Sequence, residues 1–465
     1  MTMSTMSWYA LAAGLIAAYV AIVAILRGKG LLERYNLQIY GPFLMWKTVR
    51  GRAYLERLSR HERFWKAYAD ISIWITVTAM ITMIGMLLWS AVYVLTIPPS
   101  RSPSPSYIVG LPGVNPIIPL WYGIFALAVA IVIHEGAHGI LALIGRLRIR
   151  SLGILLFVVP VGAFVEPDEE ELKGTRPKVR DRMAAVGPAT NILFAIVCAL
   201  IFSRIFMASI EPAEEGVIVT GIIDGSPAGE GGLRPGMVLI SLAMDVNGTV
   251  TNETRIHDYD EFRDYMERTR PGDRLRLFVY YRGDRTWRNA TLDDRYNYTD
   301  MEEDRGKGYI GIFLMSKSTT ELRDILVNPV ATAEDPVDLR ANLITYAISL
   351  PFSGLVPFHE PFTDIYEPTG PIGDLSEPLF WVLANVFYWL FWLNLMVGIS
   401  NALPAIPFDG SYLFHDAATA FFGRLGLTGD RRERVVGRTL IFVSVGVFFL
   451  VIWQVIGPHV AALLR

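Results

Sequence analysis

His134-Glu-Gly-Ala-His138 closes an apolar run, residues 120–133, that contains no charged residue. In a helix, the two histidines of the pattern His-Glu-x-x-His lie on one face, where both imidazoles can bind one Zn²⁺. Glu135 is then placed to act as general base toward the water on the metal. Ionisable residues inside a membrane span are costly and usually functional. The motif therefore predicts a zinc-binding helix at membrane depth, with a pair of packed or solvated histidines as the alternative.

The composition is typical of a membrane protein. Of the 465 residues, 52% are hydrophobic and only 19% are charged, which is too apolar for an ordinary soluble protein. The formal net charge of −3 argues against a nucleic-acid partner. The lone cysteine, Cys198, excludes a disulfide framework and a cysteine metal site. Any metal ion must therefore be held by histidine and carboxylate side chains.

Long apolar runs predict a polytopic α-helical protein with about six transmembrane helices. A span needs roughly 20 apolar residues. The first run has no basic segment before it, so we interpret it as a membrane anchor rather than a cleaved signal peptide. A shorter segment, 341–357, is interrupted by proline and glycine and is predicted to be interfacial or re-entrant. The six runs are 7–26, 71–97, 120–144, 184–208, 379–404 and 439–463.

The basic residues predict the orientation in the cell membrane. Cytoplasmic loops carry an excess of Lys and Arg, and here these residues concentrate in 27–70, 146–150, 173–182 and 431–438. This assignment places both termini and the region 209–340 outside the cytoplasm, and the active site toward the cytoplasmic side. Glycosylation sequons are expected on an external surface. All four lie in that region, at Asn247, Asn252, Asn289 and Asn297.

A catalytic zinc site generally takes three protein ligands, and Asp409 is the best candidate for the third. It lies in Asn401-Ala-Leu-Pro-Ala-Ile-Pro-Phe-Asp-Gly410, directly after an apolar span. The two prolines break the helix and the glycine allows a tight turn, so the carboxylate can point sideways into the bundle. An ordinary Asp-Gly turn is the alternative. Two other candidate ligands are Glu166 and His415.

Residues 154–165 form an apolar run that is too short to cross the membrane and is rich in β-branched residues. This pattern predicts a β-hairpin that dips into the membrane. Such a backbone is tolerated there only if protein or a water-filled cavity covers it. The hairpin could present an edge to a partly unwound substrate helix by strand addition.

Gly187-Pro-Ala-Thr-Asn191 opens the fourth predicted span. Its small residues permit close helix packing. An asparagine in hydrocarbon needs a partner, so Asn191 could bind a substrate backbone or an oxyanion. A structural hydrogen bond between helices is the alternative.

Residues 215–316 are predicted to form a small β-rich module. The segment from Ser226-Pro-Ala to Gly232-Leu-Arg-Pro-Gly-Met-Val238 looks like a PDZ domain of the circularly permuted, protease-associated kind. PDZ domains bind extended C-terminal peptides by strand addition. A PDZ fold that acts only as a steric gate is the alternative. By this resemblance, the carboxylate-binding loop consists of Tyr309, Ile310, Gly311 and Ile312.

Four features together resemble the site-2 protease family of intramembrane zinc metalloproteases. They are HEGAH in one span, GPATN, the PDZ-like insert and NALPAIPFDG after a later span, and their order also matches. The resemblance covers most of residues 120–415. Where the family usually has Leu-Asp-Gly, this chain has Phe408 before the aspartate, which leaves the ligand in place. The basic segment 27–70 is less distinctive, and we interpret it as a solvated cytoplasmic face on anionic headgroups.

The resemblance implies one Zn²⁺ per chain, held by His134, His138 and Asp409. Glu135 would take a proton from the attacking water and deliver it to the leaving amine. Asn191 would bind the unfolded substrate strand or stabilise the oxyanion. The implied reaction is hydrolysis of peptide bonds within or near the transmembrane segments of single-span membrane proteins, as in regulated intramembrane proteolysis.

Two other functions remain open at this point. A proteolytically inactive membrane receptor would bind peptides, including peptide C-termini, through the PDZ-like domain. A metal transporter is disfavoured because the sequence lacks a repeat of paired broken helices. The predicted domains are N-terminal helices with a basic loop (1–119), the first half of the catalytic membrane core (120–208), the extracytoplasmic α+β PDZ-like domain (209–320), a linker, gate or re-entrant segment (321–378), and the second half of the catalytic core with the last helix (379–465).

Overall fold

The computed structural model describes residues 5–48, 52–99, 102–108, 110–157, 159–246, 249–250, 253–352, 356 and 358–464. The chain divides into two compact units, one made of Met1–Val197 and Trp389–Arg465 and the other of Cys198–Tyr388. The helices of eight or more residues among the described residues are α1 (Thr5–Gly28), α2 (Arg52–Ser59), α3 (Glu62–Tyr93), α4 (Leu120–Ile144), α5 (Pro177–Ile201), α6 (Tyr259–Met266), α7 (Thr319–Val327), α8 (Pro336–Ile344), α9 (Glu377–Asn401), α10 (Gly410–Arg424) and α11 (Gly429–Leu464).

The strands in the same ranges are mostly short. They are β1 (Leu37–Tyr40), β2 (Phe43–Thr48), β3 (Ile149–Phe157), β4 (Val159–Pro167), β5 (Ile210–Pro212), β6 (Val217–Ile222), β7 (Val238–Val246), β8 (Thr249–Val250), β9 (Thr254–Arg255), β10 (Arg274–Tyr281), β11 (Asp284–Thr291), β12 (Asp293–Asp294), β13 (Gly308–Tyr309), β14 (Ile312–Ser318) and β15 (Tyr366–Pro368).

Five helices in the described ranges are long and apolar enough to cross a membrane, which confirms a polytopic helical membrane protein. The sixth predicted span, 7–26, falls in α1. The early side chains of that helix lie outside the described residues, so the span stays a prediction. The lone cysteine, Cys198, is buried near the end of α5. The five helical segments are Glu62–Thr96, Leu120–Ile144, Pro177–Ser209, Glu377–Asn401 and Gly429–Leu463.

The first unit contains an antiparallel sheet in the order β1-β2-β3-β4. Strands β3 and β4 form the hairpin that the apolar run 154–165 predicts, and Leu152 pairs with Val165 in their register. Strand β2 pairs with β3, and Met45 lies opposite Leu155. The hairpin is therefore one half of a larger sheet whose other half comes from the N-terminal region.

The N-terminal segment 27–70 contributes strands and a helix to the first unit, and most of its described side chains are exposed or half-buried. Strands β1 and β2 alternate in side-chain direction and join through a turn in which Gly41 has φ +57°, a conformation that favours glycine. In α2, Leu55 is buried against Gly139 of α4, where a Cβ would lie 2.7 Å from the leucine Cδ1. Apolar side chains at pairing positions are not uniformly buried, since Trp46 of β2 is 46% exposed, so the segment buries single residues such as Leu55 rather than a continuous face.

The second unit contains a sheet in the order β11-β10-β7-β6-β14, with β8 and β9 paired to β7. We call residues 217–318 the β-module. Its core contains fully buried side chains from the central strands, including Leu239, Leu242 and Leu275. Helix α6 contributes Phe262 and Met266 to the same core.

The chain directly after the β-module, up to residue 352, is mainly helical. Ser318 caps α7 through a capping box with Glu321, which satisfies free N–H groups of the first turn. Helix α8 continues through Thr345–Ser349 into a short helix, Leu350–Phe352. The predicted interfacial position of segment 341–357 stays a prediction, since some of it lies outside the described residues.

Candidate metal and catalytic site

His134 and His138 lie one turn apart on α4, as the spacing predicts. Their ring centroids are 4.7 Å apart and the two Nε2 atoms approach to 3.1 Å. His134 is 6% exposed. The two imidazoles therefore present one nitrogen each to the same point inside the first unit.

Asp409 completes this group from the other end of the chain. Its Oδ2 lies 3.0 Å from Nε2 of His134 and 3.3 Å from Nε2 of His138. The chain turns sharply between α9 and α10 to bring it there. A Cβ on Gly410 would lie 2.1 Å from the carbonyl oxygen of Ala402, so only glycine fits this turn.

The three ligand atoms fit a zinc ion. In a tetrahedral site with bonds of about 2.0–2.2 Å, neighbouring ligand atoms lie about 3.3–3.6 Å apart. The observed separations of 3.0, 3.1 and 3.3 Å are close to this triangle. Among the described residues, this is the one group of three or more His, Cys, Asp or Glu side chains with such convergence.

Two neighbours shape this group. The Nδ1–H of His138 donates to the carbonyl oxygen of Met183 at 2.7 Å, which leaves the Nε2 lone pair for a metal. Gly187 faces both rings, and a Cβ there would lie 2.4 Å from Nε2 of His138 and 2.7 Å from Nε2 of His134. The Nδ1 of His134 is buried and has no hydrogen-bond partner among the described residues.

Glu135 lies beside the three ligands and is half-buried. Its Oε2 accepts a hydrogen bond from the N–H of Val165 in β4 at 3.0 Å. Glu135, His138 and Asp409 line one cavity of about 190 Å³. A carboxylate next to a metal-ligand group in a small cavity can serve as a general base.

Asn191 follows Gly187 by one helical turn in α5. It is fully buried, and neither its Oδ1 nor its Nδ2 has a hydrogen-bond partner among the described residues. A buried amide without partners costs free energy and is a candidate to bind another molecule. The structure thus leaves the predicted role of Asn191 open and does not assign the amide to a helix contact.

The two other candidate ligands lie elsewhere in the first unit. The Oε2 of Glu166 accepts from Ser151 Oγ at 2.5 Å and from Lys47 Nζ at 3.3 Å. The Ser151 hydrogen bond, followed by the contact with Lys47, lowers the pKa of Glu166 against the effect of burial. His415 contacts Asp416 through Nδ1 at 3.0 Å. Neither side chain belongs to the convergent group.

Three groups at this site could not be found from the sequence motifs. The Val165 amide and the Met183 carbonyl are main-chain atoms, which carry no residue signature. The third is Arg180, which lines the same cavity and whose Nε donates to Oδ2 of Asp416 at 2.9 Å. A basic residue ahead of the GPATN segment is the available signal for this cation, and the sequence alone does not distinguish it from its basic neighbours.

The predicted peptide-binding loop lies at a groove in the β-module. Residues 308–312 and Leu314 line a cavity of about 240 Å³ together with Phe262 and Met266 of α6. Gly311 has φ +79°, and a Cβ there would lie 2.3 Å from that of Ser226. The loop thus places main-chain groups beside an apolar groove, which is the arrangement that strand addition of a peptide requires.

Comparisons with known proteins match most of the chain to one protein family. The pattern that defines Peptidase family M50 matches residues 122–447. An uncharacterized protein of Methanocaldococcus jannaschii is 23% identical over 445 residues, covering 94% of this chain and 94% of the relative. Among solved structures, the PDZ domain of an SdrC-like protein from Listeria monocytogenes is 20% identical, with a TM-score of 0.17, and the match covers 24% of this chain and 97% of that one.

Proposed function

The chain belongs to Peptidase family M50, the site-2 protease family that its motifs resemble, and on this premise we propose that it is an intramembrane zinc metalloprotease. Its substrates would be single-span membrane proteins, cut within or near their transmembrane segments. One observation carries the proposal. His134, His138 and Asp409 converge within 3.3 Å of one another, and Glu135 lines the same cavity as two of them.

The donor set is the reason to favour zinc. Two imidazoles and one carboxylate leave an open position for water, as in catalytic zinc sites, and a zinc ion held there supplies Lewis-acid activation of water and of the peptide carbonyl. Met183 fixes the tautomer of His138 through its carbonyl oxygen. Glu135 takes a proton at one carboxylate oxygen and passes it to the leaving amine. The candidate ligands are buried or half-buried, which strengthens these electrostatic interactions.

Two elements would bind the substrate. A transmembrane helix shields its amides by internal hydrogen bonds, so it must unwind locally before cleavage. Strand β4 is an edge strand of the sheet and would accept the unwound segment by strand addition. The buried amide of Asn191, which has no partner among the described residues, would hydrogen-bond the substrate backbone or the oxyanion.

The remaining elements of the proposal concern orientation and recruitment. We place the β-module outside the cytoplasm and the zinc site toward the cytoplasmic side, because basic residues concentrate in 27–70 and 431–438. The groove beside Tyr309–Ile312 supports peptide C-termini as partners of the β-module. Cleavage would then follow capture of a substrate whose extramembrane tail fits this groove.

The test compares the wild type with Glu135→Gln in detergent. Glutamine keeps the shape and the acceptor for the Val165 amide but cannot take a proton. We expect about one zinc per chain in both proteins, and cleavage of single-span substrates by the wild type at a rate at least about 100-fold above that of the variant. Glu170→Gln, an exposed change near the same hairpin, is the control and should cleave normally.

Other outcomes would contradict the proposal in distinct ways. Zinc in the wild type without cleavage of any substrate in a broad panel would favour the inactive receptor that binds peptides through the β-module. Absence of zinc from both proteins would reject the ligand group itself.

A further inference from the structure

The main-chain N–H of Val165 is committed to the carboxylate of Glu135. The distance from this nitrogen to Oε2 is 3.0 Å, within the range of a good hydrogen bond. Val165 lies in β4, which is the last strand in the sheet order and pairs with β3 alone among the described strands. A donor that is used by a side chain on α4 is not available to the strand ladder at the same time.

A single hydrogen bond of this kind has a specific effect on a base. Glutamate has several rotatable bonds, and its carboxylate needs to be held near one geometry to remove a proton efficiently. The Val165 amide holds one oxygen, Oε2, and leaves the other oxygen free to face the cavity that His138 and Asp409 also line. Hydrogen bonds from surrounding groups orient ligands and bases in metal sites in the same way.

The position of the Val165 amide depends on the whole sheet. Val165 lies opposite Leu152 of β3, and β3 is held in turn by β2 from the N-terminal region. The residue after Val165, Glu166, is tied to Ser151 of β3 and to Lys47 of β2. Strand β2 therefore contributes to the frame that fixes the strand beside Glu135.

We propose that the backbone amide of Val165 is a positioning group for the general base Glu135, in a frame that strand β2 and Lys47 complete. The proposal rests on the proposed protease function and assigns a role to the N-terminal strands. It also limits where a substrate strand can pair with β4. The donor at Val165 is used by the enzyme, so pairing takes place along the strand before this residue.

The first test replaces Val165 by proline and, as a matched control, by alanine. Proline is tolerated in edge strands at positions where the missing N–H is not part of the hydrogen-bond ladder. We expect Val165→Pro to lower kcat about 10- to 100-fold, the usual effect of losing a group that orients a metal-site residue, with KM changed less than about threefold. Zinc content should equal that of the wild type. Val165→Ala shortens the side chain but keeps the N–H, so its kcat should exceed that of Val165→Pro by about tenfold or more.

A second variant and a second measurement cover the case in which proline disturbs the strand. An ester in place of the Val165 amide removes the N–H while keeping the shape, and it should lower kcat as proline does. Hydrogen exchange at the Val165 amide reads the contact without catalysis. Exchange should be slow in the wild type and in Glu135→Gln, and at least about tenfold faster in Glu135→Ala.

The possible failures are distinguishable. Unchanged kcat in the ester variant, or a rise in KM alone, would overturn the positioning role, because the amide would then be idle or would bind substrate. Equal exchange in Glu135→Ala and the wild type would overturn it without any assay of cleavage. A wild type that shows protected exchange but cleaves nothing would reject the protease function alone.

Discussion

Gly187 of helix α5 lies directly against the two imidazoles of the proposed metal site. No other residue type leaves space there, since a Cβ would overlap the Nε2 atoms of His138 and His134, at 2.4 and 2.7 Å. The glycine is therefore part of the proposed metal site although it offers no ligand. Close approach of a backbone to a functional group is a common reason for glycine at a fixed position.

Gly187→Ala should weaken zinc binding. The new methyl group pushes the two rings apart, and we expect a loss of affinity of about 10- to 100-fold, similar to the loss of a residue that orients a metal ligand. Zinc titration of the purified protein measures this effect. Gly446→Ala in α11 is the control, because a Cβ there meets nothing within 4 Å. Equal zinc affinity in both variants would show that helix α5 shifts to accommodate the methyl group without weakening zinc binding.

Asp409→Asn distinguishes the third ligand from its competitor. The amide keeps the size of the side chain but removes the negative charge, so we expect zinc binding to weaken beyond the roughly 100-fold limit of changes outside the ligand set. Glu166→Gln should leave zinc affinity unchanged, because that carboxylate bonds to Ser151 and Lys47. Metal analysis after dialysis against a weak chelator measures both. The reverse pattern would make Glu166 the ligand.

At the scale of elements, the sheet β1-β2-β3-β4 links the N-terminal region to helix α4, which carries the candidate metal ligands. Its stability has a pH dependence that follows from Glu166. The hydrogen bond from Ser151, with the added contact from Lys47, lowers the pKa of this carboxyl in the folded state. The stabilisation is fully present above the ordinary carboxyl pKa of about 4.3 and is lost as the pH falls through the lower, folded-state value.

We expect the thermal stability of the wild type to fall more steeply below about pH 5 than that of Glu166→Gln, since the variant has no carboxylate to protonate at this position. The measurement is Tm in detergent at a series of pH values from neutral to about 3.5. The group is partly exposed, so the difference should be modest and should decrease with salt. Parallel Tm curves for the two proteins would contradict the link between this contact and folding.

The sequence indicates some of these elements and is silent on others, for physical reasons. Helix α4 and the placement of its two histidines follow from local spacing, and the turn at Asp409 follows from its prolines and glycine. The pairing of β2 with β3 joins segments about a hundred residues apart, and the sequence of an apolar strand does not specify which strand it pairs with. The same holds for the Arg180–Asp416 pair, whose partners are 236 residues apart. A main-chain donor such as the Val165 N–H cannot be inferred from residue type, because every residue except proline has one.

At the scale of the molecule, the two ends of the β-module lie side by side. The carbonyl oxygen of Gly216 accepts from the N–H of Thr319 at 2.9 Å. Val217 and Ser318 also pair across β6 and β14. The two ends of the module are thus adjacent, so the module can be removed and the chain rejoined by a short linker.

Removal of residues 217–318 with a short Gly-Ser linker should leave zinc content unchanged, because all three ligands belong to the first unit. For a substrate whose free C-terminus fits the groove, we expect KM to rise about tenfold, the loss of roughly 1.4 kcal/mol of binding free energy. Kinetics on substrates with and without that terminus measure the effect. Faster cleavage of substrates with bulky extramembrane domains would instead identify the module as a steric gate.

The buried state of Cys198 makes the protein well suited to thiol labelling. It is the single cysteine in the sequence and is 1% exposed. A cysteine introduced at an exposed position is then the one accessible thiol, and the native residue need not be replaced first. A membrane-impermeant maleimide applied to sealed vesicles would read the side on which residues 27–70 or the β-module lie. Pairs of fluorophores attached in the same way would follow substrate capture, with the unaltered protein as the dark background.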